Sequence, residues 1–129
     1  MNINNLRLSI SNILWDPNKD IEVAKILNNF NIDTIDIAPT MYFDISRNTS
    51  IEDVLNIKNK WAKYGINIYG IQSLFFNKRD LNMFGTSQER AKMLDHLQLT
   101  LDLVSFLGAK SLVFGSPINR NRGERSDNE

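Results

Sequence analysis

Hydrophobic and polar residues follow one another in a pattern that predicts strands and helices in strict alternation. The strand-like runs are Leu6–Ile13, Thr34–Ala38, Ile66–Leu74 and Ser111–Ser116. In the first run apolar and polar residues alternate with a period near two, which is typical of a strand. Helix-like runs separate these strands. Alternating strands and helices predict a parallel sheet, so the predicted fold class is α/β.

Local signals predict where the three helices begin. Asp16-Pro17 resembles an N-cap followed by a proline in the first helical position, and this helix is predicted to end near Asn29. The patterns Thr49-x-x-Glu52 and Thr86-x-x-Glu89 are typical of capping boxes and predict the starts of the second and third helices. The third helix is predicted to extend from Ser87 to Leu107.

The spacing of apolar residues predicts which face of each helix is buried. The residues expected on these faces are Val23, Ile26, Leu27 and Phe30, then Ile51, Val54, Leu55 and Trp61, then Leu94, Leu97, Leu101 and Val104. Asn31, Gly65 and Gly108 are expected to end the helices in the left-handed conformation.

The predicted elements amount to about half of a closed barrel. A (β/α)8 barrel needs roughly 250 residues, and this chain has 129. We therefore predict a partial TIM barrel with about four parallel strands and three intervening helices. Residues 1–117 are expected to form one domain, and residues 118–129 a polar tail that starts the fourth βα loop.

Composition limits the classes of partner. Fifteen basic and fifteen acidic residues cancel, so charge gives no argument for binding nucleic acid or an anionic membrane. The absence of cysteine excludes disulfides and thiolate metal sites. No apolar run approaches the roughly 18 residues of a membrane helix, and the N-terminus has no secretory pattern. We expect a cytoplasmic protein without nucleic-acid or membrane partners.

Polar residues lie at the carboxyl ends of the predicted strands, where parallel α/β folds bind their ligands. Period-two alternation places Asp36 on the same face of its strand as Thr34 and Ala38. The candidates for a ligand site at these ends include Asn12, Asp36, Thr40, Gln72, Ser116 and Arg120. Together they are expected to form one rim.

Structural roles explain four of the rim candidates at least as well. For Asp36, capping a loop or pairing with a lysine is as plausible as binding a ligand. For Gln72, hydrogen bonding to backbone groups at a strand end is equally plausible. Ser116 belongs to a Gly-Ser-Pro sequence typical of turns, and Arg120 lies in a mixed-charge run typical of solvated surface. Trp15 is suited either to stacking on a sugar ring or to closing one end of a barrel.

Ligands for a metal and an acid/base pair are not evident at the strand ends. His96 is the single histidine and falls within the third predicted helix, in the outer ring of a barrel. Asp36 is the single carboxylate at a predicted strand end, whereas general acid/base chemistry uses two groups. We therefore predict no metal site within this chain alone.

Several segments together resemble a known family. They are Leu8–Asp16, Ile35–Thr40, Tyr64–Phe76, Leu107–Pro117 and Asn119-Arg120. The strand ends Ala-Pro-Thr, Ile-Gln-Ser and Phe-Gly-Ser-Pro carry most of the likeness. The chain resembles the N-terminal half of the sugar phosphate isomerase/epimerase family, which are xylose-isomerase-like TIM barrels in the superfamily of endonuclease IV. The resemblance extends from Leu6 to about Arg122.

The resemblance implies an enzyme that moves a proton on a sugar or sugar phosphate. It also implies a divalent metal in the complete enzyme, with ligands largely from later strands and none bound by this half alone. The six rim residues carry over as substrate-binding residues. Asp36 stands where the family usually has glutamate, which gives a shorter reach.

Three functional readings follow. In the first, the chain is the N-terminal portion of an isomerase or epimerase and is inactive alone, with unpaired sheet edges that favour a homodimer. In the second, it is a short non-enzymatic α/β binding module or a self-pairing half barrel. The third, a nuclease related to endonuclease IV, requires strand-end histidines and a basic face, which this sequence lacks.

Overall fold

The computed structural model describes residues 8–126, which contain one parallel sheet and three helices. The strands are β1 (Ser9–Ser11), β2 (Thr34–Ile37), β3 (Asn67–Ile71) and β4 (Ser111–Leu112). The helices are α1 (Asp20–Asn29), α2 (Ile51–Ala62) and α3 (Ser87–Ser105). The predicted α/β class with four parallel strands is confirmed.

Each strand pairs in parallel with the next strand in sequence, in the order β1-β2-β3-β4. Every crossover therefore advances in the same direction, and right-handed crossovers then place the helices on one face of the sheet. A doubly wound sheet reverses its order and has helices on both faces. The observed order is the one that half of a barrel has.

The core lies between the sheet and the helices. Ile35 and Ile37 of β2 are fully buried, whereas Thr34 and Asp36, which alternate with them, are only partly buried. The alternation predicted for β2 is thus confirmed. The helices contribute Ala24, Leu27, Val54, Trp61, Met93, Leu103 and Val104 to the same core. The opposite face of the sheet has no helix against it among residues 8–126.

All four strands are shorter than the sequence predicts, β2 by the single residue Ala38. For β1, Leu6 and Arg7 lie outside the described residues, and Asn12–Leu14 forms a 3-10 turn. β3 ends at Ile71, and Ser73 then adopts a left-handed conformation with φ 53° that turns the chain away. The Val113 amide still donates to the Ile71 carbonyl at 2.8 Å, and the pairing of β4 with β3 ends there.

The helix starts confirm one predicted capping box and correct the other. Thr86 and Glu89 form the complete reciprocal box at the start of α3. α2 instead begins after Ser50, whose hydroxyl accepts the Glu52 amide at 3.1 Å. The Thr49 hydroxyl is occupied in the preceding loop, where it donates to the Asp44 carbonyl.

The start of α1 and the helix stops follow the predictions more closely. Asp16 caps a short 3-10 turn, Pro17–Lys19, that leads into α1. Asn31, Gly65 and Gly108 have φ of 55°, 71° and 76°, as the left-handed stops require. No helix within residues 8–126 is both long and apolar enough to span a membrane.

The predicted buried faces of all three helices are partly wrong. Ile51 and Leu55 of α2 are 47% and 38% exposed, and Ile26 of α1 is 47% exposed. Leu94 and Leu101 of α3 are 67% and 40% exposed, and Phe30 after α1 is 72% exposed. The buried residues of α3 are Met93, His96, Thr100, Leu103 and Val104. The helices therefore have exposed apolar residues beside the core-facing ones. The spacing of apolar residues in the sequence does not distinguish the two sets.

Candidate functional site

Asn12 joins the carboxyl ends of β1 and β2. Its side chain is 1% exposed, and its Oδ1 accepts the backbone amide of Ala38 at 2.7 Å. Its Nδ2 has no hydrogen-bond partner among the described residues, and neither has the buried hydroxyl of Thr40. Leaving such groups unpaired costs about 1–3 kcal/mol each. Both atoms are themselves buried, so a ligand reaches them only if the surrounding loops shift.

The side chain of Asp36 on β2 contacts both neighbouring strands, β1 and β3. The Ser9 hydroxyl of β1 donates to its Oδ1 at 2.9 Å. On the other side its carboxyl group lies over Gly70 of β3, where an added Cβ would overlap it and come within 2.9 Å of the Ser111 hydroxyl. Only glycine at this position allows the carboxylate to lie between β1 and β4.

Gln72 brings the end of β3 to the same place. Its backbone amide donates to the Ile37 carbonyl at 2.9 Å, and its side-chain Nε2 donates to the Ser11 hydroxyl. The register pairs Ser11 with Asp36, and Asp36 with Gly70. We call this group the polar face; its members are Ser9, Ser11, Asp36, Gly70, Gln72 and Ser111.

The remaining two predicted rim residues are engaged elsewhere or exposed. Ser116 donates its hydroxyl to Asn119 Oδ1. Asn119 is 2% exposed, and its Nδ2 donates to the carbonyls of Lys78 and Leu81 at 2.6 and 2.7 Å. These contacts fix the turn after β4 to the loop after β3. Arg120 is exposed on that turn, and no described contact joins it to the polar face.

A buried polar network beside the site was not predicted from the sequence. The Asp20 carboxylate is 2% exposed and accepts from Trp15 Nε1 at 2.7 Å, from the Tyr42 hydroxyl at 3.2 Å and from Lys60 Nζ at 2.7 Å. Trp61 Nε1 donates to the same tyrosine oxygen at 3.2 Å. The network joins the loops after β1 and β2 to helices α1 and α2. It gives Trp15 a structural role.

This environment changes the acidity of Tyr42. Burial, and after it the negative charge of Asp20, raise the pKa of Tyr42 well above its ordinary value. The side-chain N–H groups of Trp61 and Asn12 act in the opposite direction. Asn12 Nδ2 approaches the tyrosine oxygen without the geometry of a hydrogen bond.

The described residues do not fit a metal centre. Residues 8–126 contain no group of three histidine, aspartate or glutamate side chains placed to hold an ion. His96 is 8% exposed, and its Nε2 contacts the Leu74 carbonyl at 3.0 Å in the core. Because a carbonyl can only accept, this nitrogen carries the hydrogen. His96 thus joins α3 to the start of the loop after β3 through a buried hydrogen bond.

A cavity of about 730 Å³ opens at the opposite end of the sheet, around the amino ends of the strands. Its lining includes Leu8, Asp33, Asn67, Tyr69, Lys58 and Gly108. Lys58 is already committed there, because its ammonium group donates to the Phe106 carbonyl at 3.1 Å. Ligands of parallel α/β folds bind at the carboxyl ends, so we place the candidate site on the polar face despite this cavity.

The serines and the glycine that accompany Asp36 on the polar face were not predicted as site residues. Ser9 and Ser11 alternate with apolar residues along β1, as Asp36 does along β2. This alternation could have predicted that the two serines share a face with Asp36. Ser111 and Gly70 required the register between strands. That register shifts between Ile35 and Asp36, and no feature of the sequence predicts the shift.

No protein-family model and no curated protein matches the chain. The resemblance to sugar phosphate isomerases and epimerases therefore rests on the strand-end segments themselves.

Proposed function

We propose that the chain is the N-terminal half of a TIM-barrel enzyme of the sugar phosphate isomerase/epimerase type, and that its polar face binds a sugar or sugar phosphate. One observation carries the proposal. Asp36, Gln72 and serine hydroxyls from adjacent strands converge near the carboxyl ends of a sheet that is wound in one direction.

The chemistry of the polar face suits a polyhydroxylated ligand. Sugar hydroxyls both donate and accept hydrogen bonds. The Asp36 carboxylate accepts, the Gln72 side-chain amide donates and accepts, and the serine hydroxyls do either. Arg120 is proposed to attract an anionic group such as a phosphate, since guanidinium groups bind such oxygens well.

Asp36 is the only carboxylate on the polar face. In the complete enzyme we assign it to binding the substrate hydroxyls and to proton transfer at the neighbouring carbon. The second acid/base group and a divalent metal are proposed to come from strands beyond these four. A single half is therefore expected to bind without turnover. The proposed location is cytoplasmic, without nucleic-acid or membrane partners.

Calorimetric titration of the chain with a panel of aldoses, ketoses and their phosphates tests the proposal. We expect at least one ligand to bind, and Asp36→Asn and Gln72→Ala each to weaken binding about tenfold, the effect of losing roughly 1.4 kcal/mol. Asp33→Asn is the matched control, because Asp33 is exposed just before the same strand. Failure of every sugar to bind, or unchanged affinity in both variants, contradicts the proposal.

A non-enzymatic sugar-binding module is the second candidate. The observation that favours it is the lack of a second carboxylate on the polar face. Incubating the bound sugar in deuterated water separates the two candidates. Deuterium that enters a carbon-bound position of the sugar indicates proton transfer. If the complete enzyme binds the sugar and no deuterium enters it, the protein is a binding module.

A further inference from the structure

Two segments that follow the last strands are bound to each other: the β3 loop, residues 72–86, and the β4 turn, residues 114–126. Asn119 of the β4 turn is 2% exposed. Its Nδ2 donates to the Lys78 carbonyl at 2.6 Å, and its own carbonyl accepts the Met83 amide at 2.8 Å. Because Asn119 is buried and bound to backbone groups of the β3 loop, it holds the two segments in one arrangement.

This arrangement brings Arg120 to the β3 loop. The residues on both sides of Arg120 are bound to that loop. Asn119 precedes it, and Asn121 follows it with a carbonyl that accepts Asn82 Nδ2 at 2.9 Å. The backbone of Arg120 therefore lies against the loop that carries Lys78, and the Arg120 side chain is exposed there.

Positive charge is concentrated in these two segments. Their basic residues are Lys78, Arg79, Arg120, Arg122 and Arg125, and their acidic residues are Asp80 and Glu124. The chain as a whole is neutral, so the remainder of it is negative. Lys78 is only weakly neutralised, because its Nζ lies 4.0 Å from the exposed carboxylate of Asp44 in the loop after β2. Such a local excess of positive charge attracts anions.

Both segments follow strands that contribute to the polar face. Gln72 of the polar face is the first residue of the β3 loop, and Ser111 lies on β4 shortly before the β4 turn. Since the strands are parallel, the two segments lie at the carboxyl end of the sheet. A sugar on the polar face and the positive charge of the two segments are therefore at the same end of the sheet.

We infer that the β3 loop and the β4 turn form a phosphate subsite with Arg120 and Lys78 as its cations, so that the ligand is a sugar phosphate rather than a neutral sugar. The inference rests on the proposed function in one respect, that a sugar binds on the polar face. A phosphate monoester carries a charge of about −1.5 to −2 at pH 7 and has accepting oxygens. A guanidinium group binds two such oxygens at once, and an ammonium group adds a point charge.

Calorimetric titration with inorganic phosphate tests the subsite without a sugar. We expect phosphate to bind, with an affinity that falls as the salt concentration rises. Arg120→Gln and Lys78→Gln should each weaken phosphate binding about fivefold, the effect of losing one exposed charged contact. Lys25→Gln is the matched control, because Lys25 is an exposed cation on α1, and it should leave the affinity unchanged.

Asn119→Ala separates positioned cations from net charge. Asn119 is a positioning residue, since its buried side chain holds the backbone of Arg120 against the loop that carries Lys78. The variant keeps every charge and should still weaken phosphate binding about threefold, because ordering the two cations becomes a cost of binding. Circular dichroism checks that it folds. Asn82→Ala, which removes a contact of the same two segments at a less buried residue, gives the same comparison if Asn119→Ala does not fold.

Several results overturn the inference. They are a failure of phosphate to bind at low salt, an equal loss of affinity in Lys25→Gln and Arg120→Gln, and neutral sugars that bind as tightly as their phosphates. A short oligonucleotide that binds through Arg120 more tightly than any sugar phosphate also overturns it, because the anion recognised is then a nucleic-acid backbone.

Asp36→Asn separates this test from that of the sugar site. It should weaken the binding of sugar phosphates and leave the affinity for inorganic phosphate unchanged, because Asp36 lies on the polar face and outside the two segments. Binding of neutral sugars without binding of phosphate refutes the subsite alone. Binding of phosphate that depends on Arg120, with no sugar bound, refutes the proposed function and leaves an anion subsite.

Discussion

Among single residues, Asp36 shows how far a sequence pattern reaches into the site. Alternation along its strand predicted that it faces away from the helices, and its partial burial between Ile35 and Ile37 confirms this. Its contacts with Ser9 and its position over Gly70 depend on the register of three strands. A bulge shifts that register, so these contacts could not be predicted from local sequence.

Gly70 is expected to be essential to the geometry of the polar face. A methyl group at this position overlaps the Asp36 carboxyl group, so Gly70→Ala should displace that side chain and break its hydrogen bond to Ser9. We expect the free energy of unfolding to fall by about 1 kcal/mol, and sugar affinity to fall with it. Urea denaturation and calorimetry measure the two effects.

Gly115→Ala is the control for this substitution, because its added methyl group meets only Val113 Cγ1, at 3.4 Å. It should change neither quantity appreciably. A Gly70→Ala variant with unaltered stability and affinity would show that Asp36 does not occupy the described position.

Among elements, the existence and order of strands and helices were predictable, whereas their faces and lengths were less so. Local capping chemistry predicted the start of α3 at Thr86. It misplaced the start of α2 by one residue, because Thr49 and Ser50 both carry hydroxyls and only the loop contacts decide between them. The predicted faces of all three helices were partly wrong, because exposed apolar residues lie beside the buried ones and the spacing alone does not separate them.

The network around Asp20 links elements, and its pH dependence is testable. Tyr42 has a higher pKa in the folded chain than its ordinary value of about 10. Its contribution to stability is therefore complete below about pH 10 and is lost as the pH rises through the folded-state pKa. We expect the free energy of unfolding to fall with pH in this alkaline range.

Tyr42→Phe should be less stable near neutral pH, because the hydrogen bonds of the hydroxyl are lost, but its stability should fall less steeply above about pH 10. Urea denaturation of both proteins at several alkaline pH values compares the slopes. Equal slopes would contradict the assignment of a raised pKa to Tyr42.

For the whole molecule, strand order is what distinguishes half of a barrel from a doubly wound sheet. The alternating pattern predicted parallel strands, and the consecutive order β1-β2-β3-β4 with a helix-covered face agrees with it. Closure of the sheet and completion of the site depend on what pairs with β1 and β4. A local sequence pattern carries no information on that contact.

The central claim is that a sugar or sugar phosphate binds on the polar face at the carboxyl ends of the strands. Titration of the isotopically labelled chain with such ligands, followed by amide NMR shifts, tests it most directly. We expect the changes in amide shift to be concentrated at Asn12, Asp36, Ala38 and Gln72. Shifts concentrated at Asp33, Asn67 and Gly108 around the opposite cavity, or none with any sugar, would contradict it.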